Sequence, residues 1–187
     1  MAILLYEFQD FPDEQEAIGK MLIAYGELEF AILGCIGAVL NSDMAHALRI
    51  LFRVRGEGAR IEVADAILRP AFTKVGLDGK WGNALGAART CKNIRNQYAH
   101  CHWQIHAGQL RFMDLDTEAQ SPEGAVQVKF WPVDGQLLAQ QLKYFEYCLS
   151  LMYFIQAEYW FRIEPSTSHD LVEPKSISAP PRYIQSN

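Results

Sequence analysis

The apolar positions of this chain first fall into one long stripe. Between Asp13 and Leu40, residues Ile18, Met21, Tyr25, Leu28, Ile32 and Cys35 recur at intervals of three and four, the spacing of a helix with one face against a core. Pro12 and Asp13 suit its first turn, because proline loses no hydrogen bond there. Gly26, Gly34 and Gly37 interrupt it. Each weakens a helix by roughly 1 kcal/mol relative to alanine, so a second helix is expected to approach closely at these points.

Asn41-Ser42-Asp43 reads as a turn and N-cap. It opens a second helix through Val54 with Met44, Leu48, Leu51 and Phe52 as its apolar face. Gly56-Glu57-Gly58 breaks it, and a third helix follows from about Ala59 with Ile61, Ala64, Ile67 and Leu68 inward. Arg69-Pro70 is expected to kink or divide that helix. After a loop at Leu77-Asp78-Gly79-Lys80, a fourth helix spans Trp81 to His100. Its inner face takes Leu85, Ala88, Cys91, Ile94 and Tyr98, which leaves Lys92, Arg95 and Asn96 facing away from the core.

From Cys101 the period changes to two. Trp103, Ile105, Leu110 and Phe112 flank a hairpin-like turn at Ala107-Gly108-Gln109, and Ala125 to Trp131 alternates again. Between them, 116–124 is an acidic loop. Asp134 caps a last helix over Gly135–Ile163, whose seam of Leu138, Leu142, Phe145, Leu149 and Met152 breaks at Gln156. Further aromatics leave this helix apolar nearly all round, so cover on two sides is expected, from its own bundle and from a partner chain. Prolines and serines dominate thereafter, giving an extended tail fixed only if Tyr183 and Ile184 find a pocket. The predicted fold is mainly α: an up-and-down bundle of about five helices with a small antiparallel β insert before the last. One domain covers 1–164, the insert lies at about 101–133, and the tail covers 165–187.

With 187 residues, half of them hydrophobic, the chain is long enough for one sizeable core. Its 22 acidic residues outnumber its 17 basic ones, which excludes a generally basic surface for coating nucleic acid. RNA would have to bind a local cluster, and Arg89, Lys92 and Arg95, with Lys80 upstream, form the candidate. Cys35, Cys91, Cys101 and Cys148 show no paired spacing and read as reduced cysteines of a cytoplasmic protein. The short apolar run Met1–Tyr6 lacks the basic start of a signal peptide. Met21–Leu40 is apolar, but Glu27 and Glu29 would be costly in hydrocarbon, so a core or dimer-facing helix is expected and no membrane.

Polar residues concentrate in one place, Ile94-Arg95-Asn96-Gln97-Tyr98-Ala99-His100. Arginine offers a permanently charged fork for phosphate oxygens, and histidine moves protons near neutral pH. Residues five apart lie roughly 140° apart around a helix, so Arg95 and His100 share a ligand only where the helix ends or where a second copy completes the site.

This segment resembles the R-x4-6-H signature of the HEPN superfamily, in which a polar residue commonly follows the arginine. The resemblance implies an all-helical domain that dimerises around the motif. It also implies either a metal-independent, cofactor-free endoribonuclease or a non-catalytic RNA- or nucleotide-binding or protein-interaction module. Arg95, Asn96 and His100 would then be catalytic, and Lys92, Arg89, Tyr98 and His102 would contact substrate. RNA would be the substrate, and an antitoxin or neighbouring regulatory protein the controlling partner. One toxin branch of that family carries tyrosine two residues beyond the motif histidine; His102 stands there in this chain, and it also satisfies the six-residue spacing from Arg95. Glu27 is a candidate to orient Arg95. A rival reading takes His100, His102 and His106 with Cys101 as metal ligands, and another makes Cys101 a nucleophile.

Overall fold

The computed structural model describes residues 8–41, 43–114, 129–166 and 168–184. Among them are five helices and one small sheet: α1 Pro12–Leu40, α2 Met44–Arg53, α3 Glu57–Lys74, α4 Asp78–Ala99, β1 Cys101–His106, β2 Gln109–Asp114, β3 Trp131–Pro132 and α5 Gly135–Ile163. The helices alternate in direction. Arg60 of α3 meets Glu29 of α1, Arg89 of α4 meets Glu62 of α3, and Tyr98 of α4 meets Gln141 of α5. This is the mainly helical plan with a three-stranded antiparallel insert that the sequence predicts.

Local chemistry sets the helix ends. Asp43 caps α2 by accepting the His46 N–H at 2.9 Å, and Asp134 caps α5 by accepting that of Leu137 at 2.7 Å. His46 itself is exposed beside Asp43. α4 starts three residues earlier than expected, because the Leu77-Asp78-Gly79-Lys80 stretch already winds into its first turn. Pro70 neither kinks nor divides α3, which runs unbroken through it. Pro70 and Ala66, the residue whose carbonyl loses its helical partner, both lie on the exposed face, where solvent can replace the missing bond.

α1 is long and apolar enough to cross a membrane, and half of its most apolar window is buried inside the bundle, as in the core helix of a folded domain. Gly34 is where another helix comes close: a Cβ there would lie 2.9 Å from the Gln156 Nε2 of α5. Gly26 faces open space instead. Gly26→Ala is therefore expected to raise stability by about 0.5–1 kcal/mol through helix propensity. A denaturant midpoint that fails to rise would show that this face is occupied.

The hairpin joining β1 to β2 turns through Ala107 at φ 52° and Gly108 at φ 72°, the left-handed pair that suits the twist of a two-residue loop. Trp103 and Ile105 point inward while His102, Gln104 and His106 point out. Trp103 stacks on Tyr98 of α4 with centroids 5.6 Å apart and meets Phe112 of β2 at 5.7 Å. These rings pin the sheet to the C-terminal end of α4. The predicted strand at 125–131 survives as Trp131–Pro132; its 125–128 portion and the acidic loop lie outside the described residues.

The second apolar side of α5 is covered in part within the chain, while Tyr153, Phe161 and Ile163 stay exposed. Residues 168–184 run back along the bundle: His169 bonds Glu158 at 3.2 Å, Ile177 packs on the core, and Tyr183 stacks on Trp131 at 3.9 Å. The tail thus supplies part of the cover that the apolar character of α5 calls for.

Candidate functional site

Arg95 follows Ile94 on α4, one step off the helix's buried stripe, and its stem therefore leaves at the edge of the core. The guanidinium is turned inward, toward the first turn of α3. Its Nη1 lies 2.8 Å from Glu57 Oε1 and donates to Asn96 Oδ1 at 2.9 Å. The carbon at its centre sits 5.6 Å from the ring centre of Tyr25 on α1, within cation–π range. This corrects the expectation that the motif faces away from the bundle. The reason is the break at Gly56 (φ 85°), which starts α3 at Glu57 and sets that carboxylate opposite the end of α4.

The seam continues across α1. Glu29 accepts from Arg60 Nη1 at 2.7 Å, Arg60 Nε donates to the Val54 carbonyl at 3.1 Å, and its guanidinium lies over Phe52. Burial first, then the Glu57 and Glu29 charges, push the Tyr25 hydroxyl well above its ordinary pKa, so it stays protonated between the two pairs. Glu27, the sequence candidate for orienting Arg95, is exposed. Glu57 takes that place. Its position in an apparent glycine-flanked loop hid it from sequence reasoning, since nothing local marks a partner 38 residues away.

Its ion pair with Glu57 and its hydrogen bond to Asn96 both use Nη1. The side chain is 30% exposed, so the guanidinium is reached by solvent while it holds Glu57 and Asn96. His100 ends the helix: its N–H bonds the Asn96 carbonyl at 3.1 Å, and its residue is exposed. Asn96 thus holds Arg95 through its side chain and the backbone of His100 through its carbonyl. The bond to His100 is the ordinary i→i−4 bond of the helix and leaves the imidazole exposed.

The predicted substrate contacts divide. His102 stands exposed on β1, and Lys92 is half-buried with its ammonium beside Gly58 at the start of α3. Arg89 pairs with Glu62 at 2.8 Å, and Lys80 is held by Glu173 of the tail. Tyr98 is 4% exposed, its hydroxyl donates to Gln141 Oε1 at 2.7 Å, and burial raises its pKa. It packs in the core, and its ring lines a cavity of about 230 Å³ with Phe8, Ile18, Leu22 and Trp103.

Cys101 faces inward, away from the exposed His100, His102 and His106, and its Sγ lies 3.5 Å from the Tyr98 carbonyl. Burial pushes its thiol up to about 12, which removes the thiolate a nucleophile needs. Strand pleating has placed thiol and imidazoles on opposite faces, so the mixed ligand set is not assembled. Among the described residues no group of three or more His, Cys, Asp or Glu is arranged to hold a metal ion.

Sequence reasoning also passed over Gln97 and Gln141, the two buried polar residues, 3% and 0% exposed. A signal existed for Gln141, which lies on the apolar seam of α5 between Leu138 and Phe145. Compared with protein-family models, curated proteins and solved structures, the chain matches none.

Proposed function

We propose that this chain is a HEPN-type endoribonuclease acting as a homodimer. His100 takes the proton from an RNA 2′-hydroxyl as it attacks the adjacent phosphorus, or returns one to the leaving 5′-oxygen from the second copy. Arg95 neutralises the charge that builds on the phosphate. Asn96 and Glu57 fix the guanidinium, and Lys92, Arg89 and His102 line the approach. The scheme uses no metal. An antitoxin or neighbouring protein would control it.

The observation that carries this reading is a part-exposed Arg95, held by Glu57 and Asn96, five residues before an exposed His100 at the end of α4. The exposed stripe of Met44, Leu48 and Phe52 on α2, 42, 47 and 42% exposed, supports a second copy, because it begins where the polar seam of Arg60 ends. The test is a cleavage assay on labelled structured RNA with the wild-type chain and Arg95→Ala. Cutting by the wild type and its loss in a still-helical variant are expected. Equal cutting by both would end the proposal.

A second reading, a non-catalytic interaction module, is favoured by one observation: Arg89, Arg95 and Lys80 each already hold a carboxylate in a chain of net charge −5. RNA or nucleotide binding by calorimetry without cleavage would select it.

A further inference from the structure

The described part of the tail is built onto the bundle by more than apolar contact. The Gln141 Nε2 donates to the Pro181 carbonyl at 2.9 Å and to the Arg182 carbonyl at 3.2 Å. Gln97 Nε2 donates to the same Arg182 carbonyl at 2.8 Å, and its Oε1 accepts from Arg182 Nε at 3.1 Å. Arg182 Nη2 reaches Asp114 at the end of β2 at 3.0 Å, and Tyr183 lies flat on Trp131. Tyr98 sets the first glutamine by donating to Gln141 Oε1, which turns its NH2 group toward the tail.

Two amides buried to 3% exposure or less are an expensive way to hold an inert tail. Buried amides must be satisfied, and here their donors are spent on the main chain of a segment that adds no strand or helix. What they read is an extended backbone with consecutive acceptors. Proline at the first position has no N–H to satisfy, Asp114 selects a cation at the next, and Trp131 selects an aromatic ring after it. That division, main chain for affinity and alternate side chains for choice, is the way peptide-binding grooves work.

Clefts of about 300 Å³ and about 390 Å³ open beside Pro181 along the start of α5, one lined by Gln140 and Lys143, the other by Gln136 and Leu137. Pro181 and Arg182 are themselves exposed, so the docked segment is reached by solvent from its outer side.

We propose that the groove formed by Gln97, Gln141, Asp114 and Trp131 is a peptide-recognition site that the chain's own Pro181-Arg182-Tyr183 occupies as a built-in competitor. Its exchange partner is an extended segment of another protein carrying proline, a basic residue and an aromatic residue in succession. The site lies on the face of α4 turned from Arg95, and the proposal stands independently of any nuclease activity.

The test uses the full-length chain and a fluorescein-labelled peptide of residues 176–187. In the wild type, the tethered segment competes at an effective concentration on the order of millimolar. In a full-length Arg182→Ala, Tyr183→Ala chain the seat is freed, and the labelled peptide is expected to bind at least about 10-fold more tightly, as that competition requires. Adding Trp131→Ala to that chain should abolish the gain, as should a peptide whose Arg and Tyr are alanine. Equal binding to wild type and variant, or no saturable binding to the variant, overturns the proposal. So does loss of helical circular dichroism in the variant, which would make the tail part of the core. A wild-type mass that doubles in sedimentation and returns to one chain in the variant would assign the seat to a second copy, and overturns the assignment to another protein.

Discussion

A His100→Ala chain is expected to keep its melting curve and to cut RNA about 100- to 10,000-fold more slowly, the contribution of one positioned acid–base group. Stability should be untouched because the residue is exposed and the hydrogen bond it makes, from its N–H to the Asn96 carbonyl, is one that alanine keeps. Single-turnover cleavage with chain in excess over RNA reads the effect without product release. His102→Ala serves as the control, since that imidazole is also exposed and satisfies the longer motif spacing. If His102→Ala is silenced and His100→Ala still cuts, the proton-transfer role moves two residues along.

Trp81→Ala is expected to cost about 3–5 kcal/mol, the range for removing a fully buried large aromatic residue. Its indole is 0% exposed, meets Phe72 edge-on at 5.2 Å and donates to Asp65 Oδ1 at 2.9 Å. The substitution opens a cavity between α3 and α4 and takes a donor from a carboxylate that Arg69 also binds. For a domain of this size the cost corresponds to a melting point lower by about 6–20 °C. A change under about 1 kcal/mol would mean that the site collapses around the cavity.

The elements that could be read from the sequence are those whose cause is local. α5 spans the predicted Gly135–Ile163, because a capping aspartate marks its start and apolar positions at helical spacing carry it to Ile163. The Ala107-Gly108 turn and the inward Trp103 follow from period-two alternation beside a small residue and glycine. The R-N-Q-Y-A-H segment ends its helix at His100 as the change in period requires.

What escaped depends on residues far apart along the chain. Glu57 reaches Arg95 only because α3 lies along α4. The cost of Pro70 depends on whether the carbonyl it releases is exposed, which no local pattern tells, and α3 runs through it. Gln97 sits inside the motif and was overlooked there, since its partner, Arg182, is 85 residues later. The docking of the tail beside α5 is not legible either, because a segment of prolines and serines carries no periodicity with which to predict it.

The returning tail also fixes where the chain's far end stands. α5 is 29 residues long, about 43 Å at 1.5 Å per residue, yet Ile184 lies beside Asp134 and Leu137 at its beginning. A dye attached near residue 184 and another near Glu164 would therefore start about a helix length apart, and undocking would let that fixed span become a fluctuating one. Energy transfer between the two labels would make the seat's occupancy visible in a single molecule.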